Sequence, residues 1–166
     1  MPEEPSAAQL QEEARQFRDQ FKTVLLATSG ADGSADASYS PCIPDASGDI
    51  CIFVSELARH TQNLLAQPQA GLMFIADEKD SRNLFARKRL MLNASAKMVQ
   101  RNEAEWRNIM ERMQQTHGNT IKLLMSLPDF HLFRLVIEGG TYVRGFGQAF
   151  PVKNGVLEIS PQRRSR

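Results

Sequence analysis

From Arg89 to Val99 the chain alternates. Leu90, Leu92, Ala94, Ala96 and Met98 share one parity, and Met91, Asn93, Ser95 and Lys97 the other. A period of two sends these sets to opposite sides of a pleated strand, so the segment belongs in a sheet with one core face and one solvent or interface face. Val24–Ser29, residues 35–43, Ile50–Val54 and Ala70–Ile75 read as further strands. Asp32-Gly33 is a hairpin signal, and the first three strands are expected as an antiparallel meander. Gly139-Gly140 reads as the turn of a final hairpin, His131–Ile137 with Thr141–Phe146, and a last strand is expected near Val152–Ile159.

Helices punctuate this pattern. Ser6 followed by Gln9 is a capping box for a helix over residues 7–20, with Leu10, Ala14 and Phe17 on its apolar face. Thr61 is the expected cap of a short helix ending at Ala66, before Pro68. Asn102 caps a helix whose Trp106, Ile109, Met110 and Met113 form a core stripe, ending at Gly118. A short helix over Asn119–Ser126 stops before Pro128. Short strands interrupted by small helices give a mainly β fold with accessory helices (α+β), built as an antiparallel barrel. One domain is expected over residues 1–160, with a basic, disordered tail at 161–166.

Composition narrows the partners. The formal net charge is only +1, with no basic excess for nucleic acid. The apolar runs are too short to span a bilayer, and Glu3 and Glu4 do not suit a signal peptide. The two cysteines, Cys42 and Cys51, read as reduced thiols in a cytoplasmic protein. The three histidines lie at no zinc-ligand spacing from them.

Two segments carry candidate chemistry. Ser55–Thr61 joins a strand end to a helix start, where free amides, the Arg59 charge and the Thr61 hydroxyl suit a phosphate or carboxylate. Arg87, Lys88 and Arg89 enter the long strand, and pleating sends Arg87 and Arg89 to one face and Lys88 to the other. One of those faces is expected to meet the same anion as Arg59. His131, beside Asp129, is a candidate ligand or catalytic imidazole.

The run from Ser55 through Leu64, followed by Pro68 and an apolar strand, resembles the flavin-site stretch of the pyridoxamine-5'-phosphate-oxidase-like FMN-binding split barrels. Leu84–Leu90, Asp129–Leu135 and Val143–Ala149 resemble their haem-utilisation (HugZ/HutZ) branch. The resemblance runs from about Phe17 to Val152. It implies a split-barrel homodimer with ligand sites at the subunit interface, and haem or FMN as cofactor. It implies oxidative haem degradation with iron release, or FMN-dependent oxidoreduction. It places Arg59, Thr61 and Lys88 at cofactor-binding positions, with Arg87 and Arg89 beside them, and Asp129 at a family position suited to orienting an imidazole. The haem-degrading members carry an axial histidine after the last barrel strands, whereas Val156–Arg166 contains none. His60 and His131 are therefore the candidate haem ligands. The dimer face is expected to use Leu90, Leu92 and Met98.

Overall fold

The computed structural model describes residues 3–161. The expected tail at 161–166 lies outside them, apart from Pro161. The chain opens with α1 (Ala7–Asp19), whose capping box is formed: Gln9 N donates to Ser6 Oγ and Ser6 N to Gln9 Oε1, at 3.2 and 2.8 Å. Then come β1 (Thr23–Ser29), β2 (Ala35–Pro41), β3 (Ile43–Pro44), β4 (Ile50–Ser55), α2 (Arg59–Ala66), β5 (Gln69–Ile75) and β6 (Arg89–Val99). The chain continues with α3 (Ala104–His117), α4 (Thr120–Met125), β7 (Phe130–Gly145), β8 (Gln148–Lys153) and β9 (Glu158–Ile159).

All strand pairs are antiparallel, in the order β2-β1-β5-β6-β7-β4-β3, with β8 and β9 continuing from the far half of β7. The sheet wraps around a core but does not close through hydrogen bonds, giving a split barrel. Inside lie Leu26, Leu72, Leu90, Leu92, Leu135 and Tyr142, and α1 plugs the barrel with Leu10, Ala14 and Phe17. A second cluster lies outside, where α3 and α4 cover β3, β4 and the first half of β7 with Ile109, Met110, Met113 and Ile121.

Four sequence expectations need correction. The expected meander forms only in part: β1 pairs with β2, and Ile43 and Pro44 (β3) pair with β4, but the strand read over 35–43 breaks at Cys42 and β4 runs mainly against β7. Gly139-Gly140 is no turn, and β7 runs straight through it for 16 residues. The pair is needed for close approach, since a Cβ on Gly140 would stand 1.9 Å from the Met91 carbonyl oxygen. The helix caps shift as well: Glu103 rather than Asn102 precedes α3, and Ala58 rather than Thr61 precedes α2. Finally, Leu90 and Leu92 belong to the protomer's own core and are not free for a partner, while Met98 packs partly buried against that core.

The opposite parity is left uncovered. Leu25 and Tyr39 are exposed, and Ala27, Ala37, Met73 and Met91 share their side of the β2-β1-β5-β6 surface. The alternation in β6 was legible, but which face the protomer itself would cover was not. The free thiols sit on two sides of the sheet, Cys42 in the inner cluster and Cys51 in the outer one. Burial pushes both up to about 12.

Candidate functional site

The uncovered face holds a cleft of about 660 Å³. Its floor is apolar and small where Ala27, Gly71, Gly139 and Gly140 stand, and Leu25, Met73 and Met91 wall it. The volume falls within the range of roughly 300–1,000 Å³ usual for cofactor sites. Its floor is made by strands, so its shape is rigid.

The start of α2 lies at the β2 edge of the sheet, against Thr28, Asp36 and Ser38, which share the inward parity of Leu26. Ala58 offers no polar side chain to the first turn; Thr61 N donates to the Ala58 carbonyl at 3.1 Å, which leaves the Arg59 and His60 amides for an external acceptor. Arg59 projects into solvent, 3.9 Å from Asp36 and within electrostatic reach of Asp32. Thr61 is fully buried in the first turn, and its Oγ1 has no hydrogen-bond partner among the described residues. Asn63 ties the helix to β1 through Thr28 Oγ1 at 3.0 Å, so the helix start is held firmly. His60 lies at the same edge, its Nδ1 3.0 Å from Ser38 Oγ. Desolvation holds the His60 pKa below its ordinary value, and the Asp36 charge only partly opposes this.

The entry to β6 carries Arg87, Lys88 and Arg89, of which only Arg89 belongs to the strand itself. Lys88 turns inward over the Phe17 and Tyr142 rings, with Nζ 3.4 Å from Glu13. Arg87 donates to the Ala76 carbonyl and lies 3.7 Å from Glu78. Arg89 is half-buried, donates to the Arg87 carbonyl, and has no carboxylate partner among the described residues. Glu13 anchors this end by accepting from Tyr142 at 2.5 Å and Arg144 at 3.0 Å. Burial raises the Glu13 pKa, but the Tyr142 hydrogen bond and the Lys88 and Arg144 charges outweigh it, so the net shift is downward.

Within one protomer the two cationic ends do not converge. Asp36, beside Arg59, pairs with Thr28 of β1, whereas Arg89 pairs with Ile75 near the Thr23 end. Five residues of β1 separate those levels, about 16 Å at strand rise.

Asp129 and His131 are neighbours that do not touch the same group. Asp129 accepts from Ser55 Oγ at 2.7 Å, and its carbonyl takes the Glu56 amide, so it fixes the β4–α2 connection. His131 Nε2 is held by Glu56 at 2.5 Å, a partner that sequence spacing could not show because it comes from β4's end. The sequence reading also missed Glu138. It lies where β6 and β7 slip register at Asn93/Ala94, takes the Ser95 hydroxyl, and lines the cleft.

The family profile of pyridoxamine 5'-phosphate oxidase matches residues 10–144, most of the chain. The chain belongs to the pyridoxamine 5'-phosphate oxidase family. Within that family it is similar to the haem oxygenase HutZ of Vibrio cholerae, 41% identical over 148 residues, covering 89% of this chain and 84% of the relative. A crystal structure of HutZ, described as the haem storage protein of Vibrio cholerae, superposes with a TM-score of 0.70 at 40% identity. It covers 75% of this chain and 87% of that one. Campylobacter jejuni ChuZ gives a TM-score of 0.83 at 28% identity, covering 99% of this chain and 67% of that one. Split-barrel architecture and pyridoxamine 5'-phosphate oxidase membership thus agree with the antiparallel order described above.

Proposed function

We propose that this chain is a haem-binding protein of the haem-utilisation type, acting as a homodimer. The observation that carries the reading is the uncovered cleft: a strand-built apolar floor with Arg89 on its face and Arg59 exposed at the β2 edge of the same sheet. Haem has that chemistry, an apolar macrocycle with anionic propionates. The similarity to a haem oxygenase and a haem storage protein supports it.

A second copy completes the site. Face-to-face packing about a two-fold axis crossing the strands inverts strand direction, so the Arg59 level of one protomer falls at the Arg89 level of the other, with Arg59 over the β2 edge and Arg89 over β6. Arg59, Thr61 and Lys88 are the proposed anion-binding residues, flanked by Arg87 and Arg89. His60 is favoured as iron ligand over His131, because no described group engages its Nε2, while Glu56 holds the His131 Nε2. Ser38 would orient the imidazole through Nδ1. Bound haem supplies an iron centre for oxygen chemistry, and the chain's residues bind the propionates, exclude water and set the imidazole. Asp129 acts one step away, by holding the loop that carries Glu56 and leads into α2.

One observation favours a second reading. The uncapped start of α2, beside Arg59 and the orphaned Thr61 hydroxyl, is suited to a phosphate, which points to FMN and an oxidoreductase. Parallel titrations of the purified protein with haemin and FMN decide between them. A Soret change that saturates with haemin supports the first reading. Saturable flavin quenching without haemin binding replaces it with the second. Ring-opening activity is then tested by loss of the Soret band and release of iron to a ferrous chelator, with reductant and oxygen present.

A further inference from the structure

The uncovered sheet face carries two charges that have no opposite charge beside them among the described residues. Glu138 is exposed on the bulged rung opposite Asn93 and accepts only the Ser95 hydroxyl. Arg89 stands on the same face of β6, four residues away, with no carboxylate partner among the described residues. Burying either charge against an apolar partner surface is costly unless the partner supplies its opposite.

Their positions form a self-complementary pattern. Arg89 and Asn93 lie symmetrically about Met91 on β6, about 13 Å apart at strand rise, and Glu138 lies one strand aside on β7. A two-fold axis crossing the strands at Met91 maps the Asn93 level onto the Arg89 level. It leaves β6 over β6 and β7 over β7. The second copy's Glu138 then arrives beside Arg89, one strand spacing away and within reach of a guanidinium. By symmetry the contact occurs twice.

We infer that Arg89 of each protomer pairs with Glu138 of a second copy, and that this reciprocal pair sets the register of the dimer across the cleft. The inference rests on the homodimer reading and gives it an axis. It makes Arg89 an interface residue first, with the propionate or phosphate met by Arg59 and Lys88. The bulge at Glu138 switches the inward parity of β7, from Leu135 and Ile137 before it to Tyr142 after it.

Charge reversal tests it. Arg89→Glu and Glu138→Arg, each made in the full chain without ligand, place like charges together twice per interface. Each should raise the dimer dissociation constant by at least about tenfold in sedimentation equilibrium. The double variant R89E/E138R restores the pairing with its signs exchanged and should return close to the wild-type constant. Far-UV circular dichroism of all four proteins confirms a common fold. If a single reversal leaves a wild-type dimer, or the double variant stays dissociated, the pairing is refuted while the dimer stands. A wild-type monomer at micromolar concentration refutes both.

Discussion

Replacing Gly140 with alanine is the sharpest test of how β6 and β7 approach. The added Cβ would lie 1.9 Å from the Met91 carbonyl oxygen and 2.9 Å from the Leu92 Cα, both backbone atoms that no rotamer change can move. Restoring ordinary contact requires the strands to separate by more than 1 Å (about a quarter of their normal spacing). The rung is central: Gly140 pairs with Leu92 on one side and Val152 on the other, between the buried Leu90 and Tyr142. Overpacking costs about 1–3 kcal/mol and a weakened ladder bond about 1 more, so the expected loss is roughly 3 kcal/mol. With a urea dependence of about 1–3 kcal/mol per molar, the midpoint should fall by 1 M or more at fixed protein concentration. Gly145→Ala is the control, because a Cβ there meets nothing within 4 Å, and its midpoint should barely move. Equal midpoints for the two variants would refute the close-approach account of the glycine pair.

Further outcomes follow from the site. The Glu13 pKa is lowered from its ordinary value of 4.5 on folding, so the unfolded chain binds the proton more readily; the stability this contributes is present above about pH 4.5 and lost as pH falls through the folded value. Glu13→Gln should flatten that acid limb and destabilise the protein by about 1–3 kcal/mol at neutral pH, read by denaturant titration at several pH values. Cys42 and Cys51, buried with thiols near 12, should resist alkylation at pH 8 in the native protein and react fully in denaturant, read by intact mass. Arg59→Ala should weaken haemin or FMN binding by about 1–3 kcal/mol, the scale of a charge-assisted contact, and unchanged affinity would return Arg59 to an ordinary exposed position. His60→Ala should change the haem spectrum and His131→Ala should not; the reverse pattern would move the ligand to His131.

What the sequence disclosed was the local chemistry. The Ser6–Gln9 box, the Ile109–Met113 stripe and the β6 alternation each depend on neighbours within a few residues, and each forms as read. What it concealed depends on partners far along the chain. A glycine pair has the same letters in a turn as beneath a neighbouring strand, and only the Met91 carbonyl distinguishes them. Alternation defines two faces but not which one α1 fills, so Leu90 and Leu92 were assigned to the wrong side. The site divides similarly: the cations were visible as clusters, but Glu13 beneath Lys88, Glu56 on His131 and the bulged Glu138 beside Ser95 meet their partners across 43 to 75 residues of chain.

The central claim, that haem binds between two copies of this sheet face, is tested most directly by sedimentation velocity of the haemin-loaded protein, followed in parallel by protein and Soret absorbance. The account predicts one boundary at the dimer mass carrying both signals, and loss of both dimer and Soret signal from that boundary when Met73→Glu places a charge on the cleft wall. Haem travelling with a monomer, or a Met73→Glu protein that keeps its dimer and its haem, would contradict it.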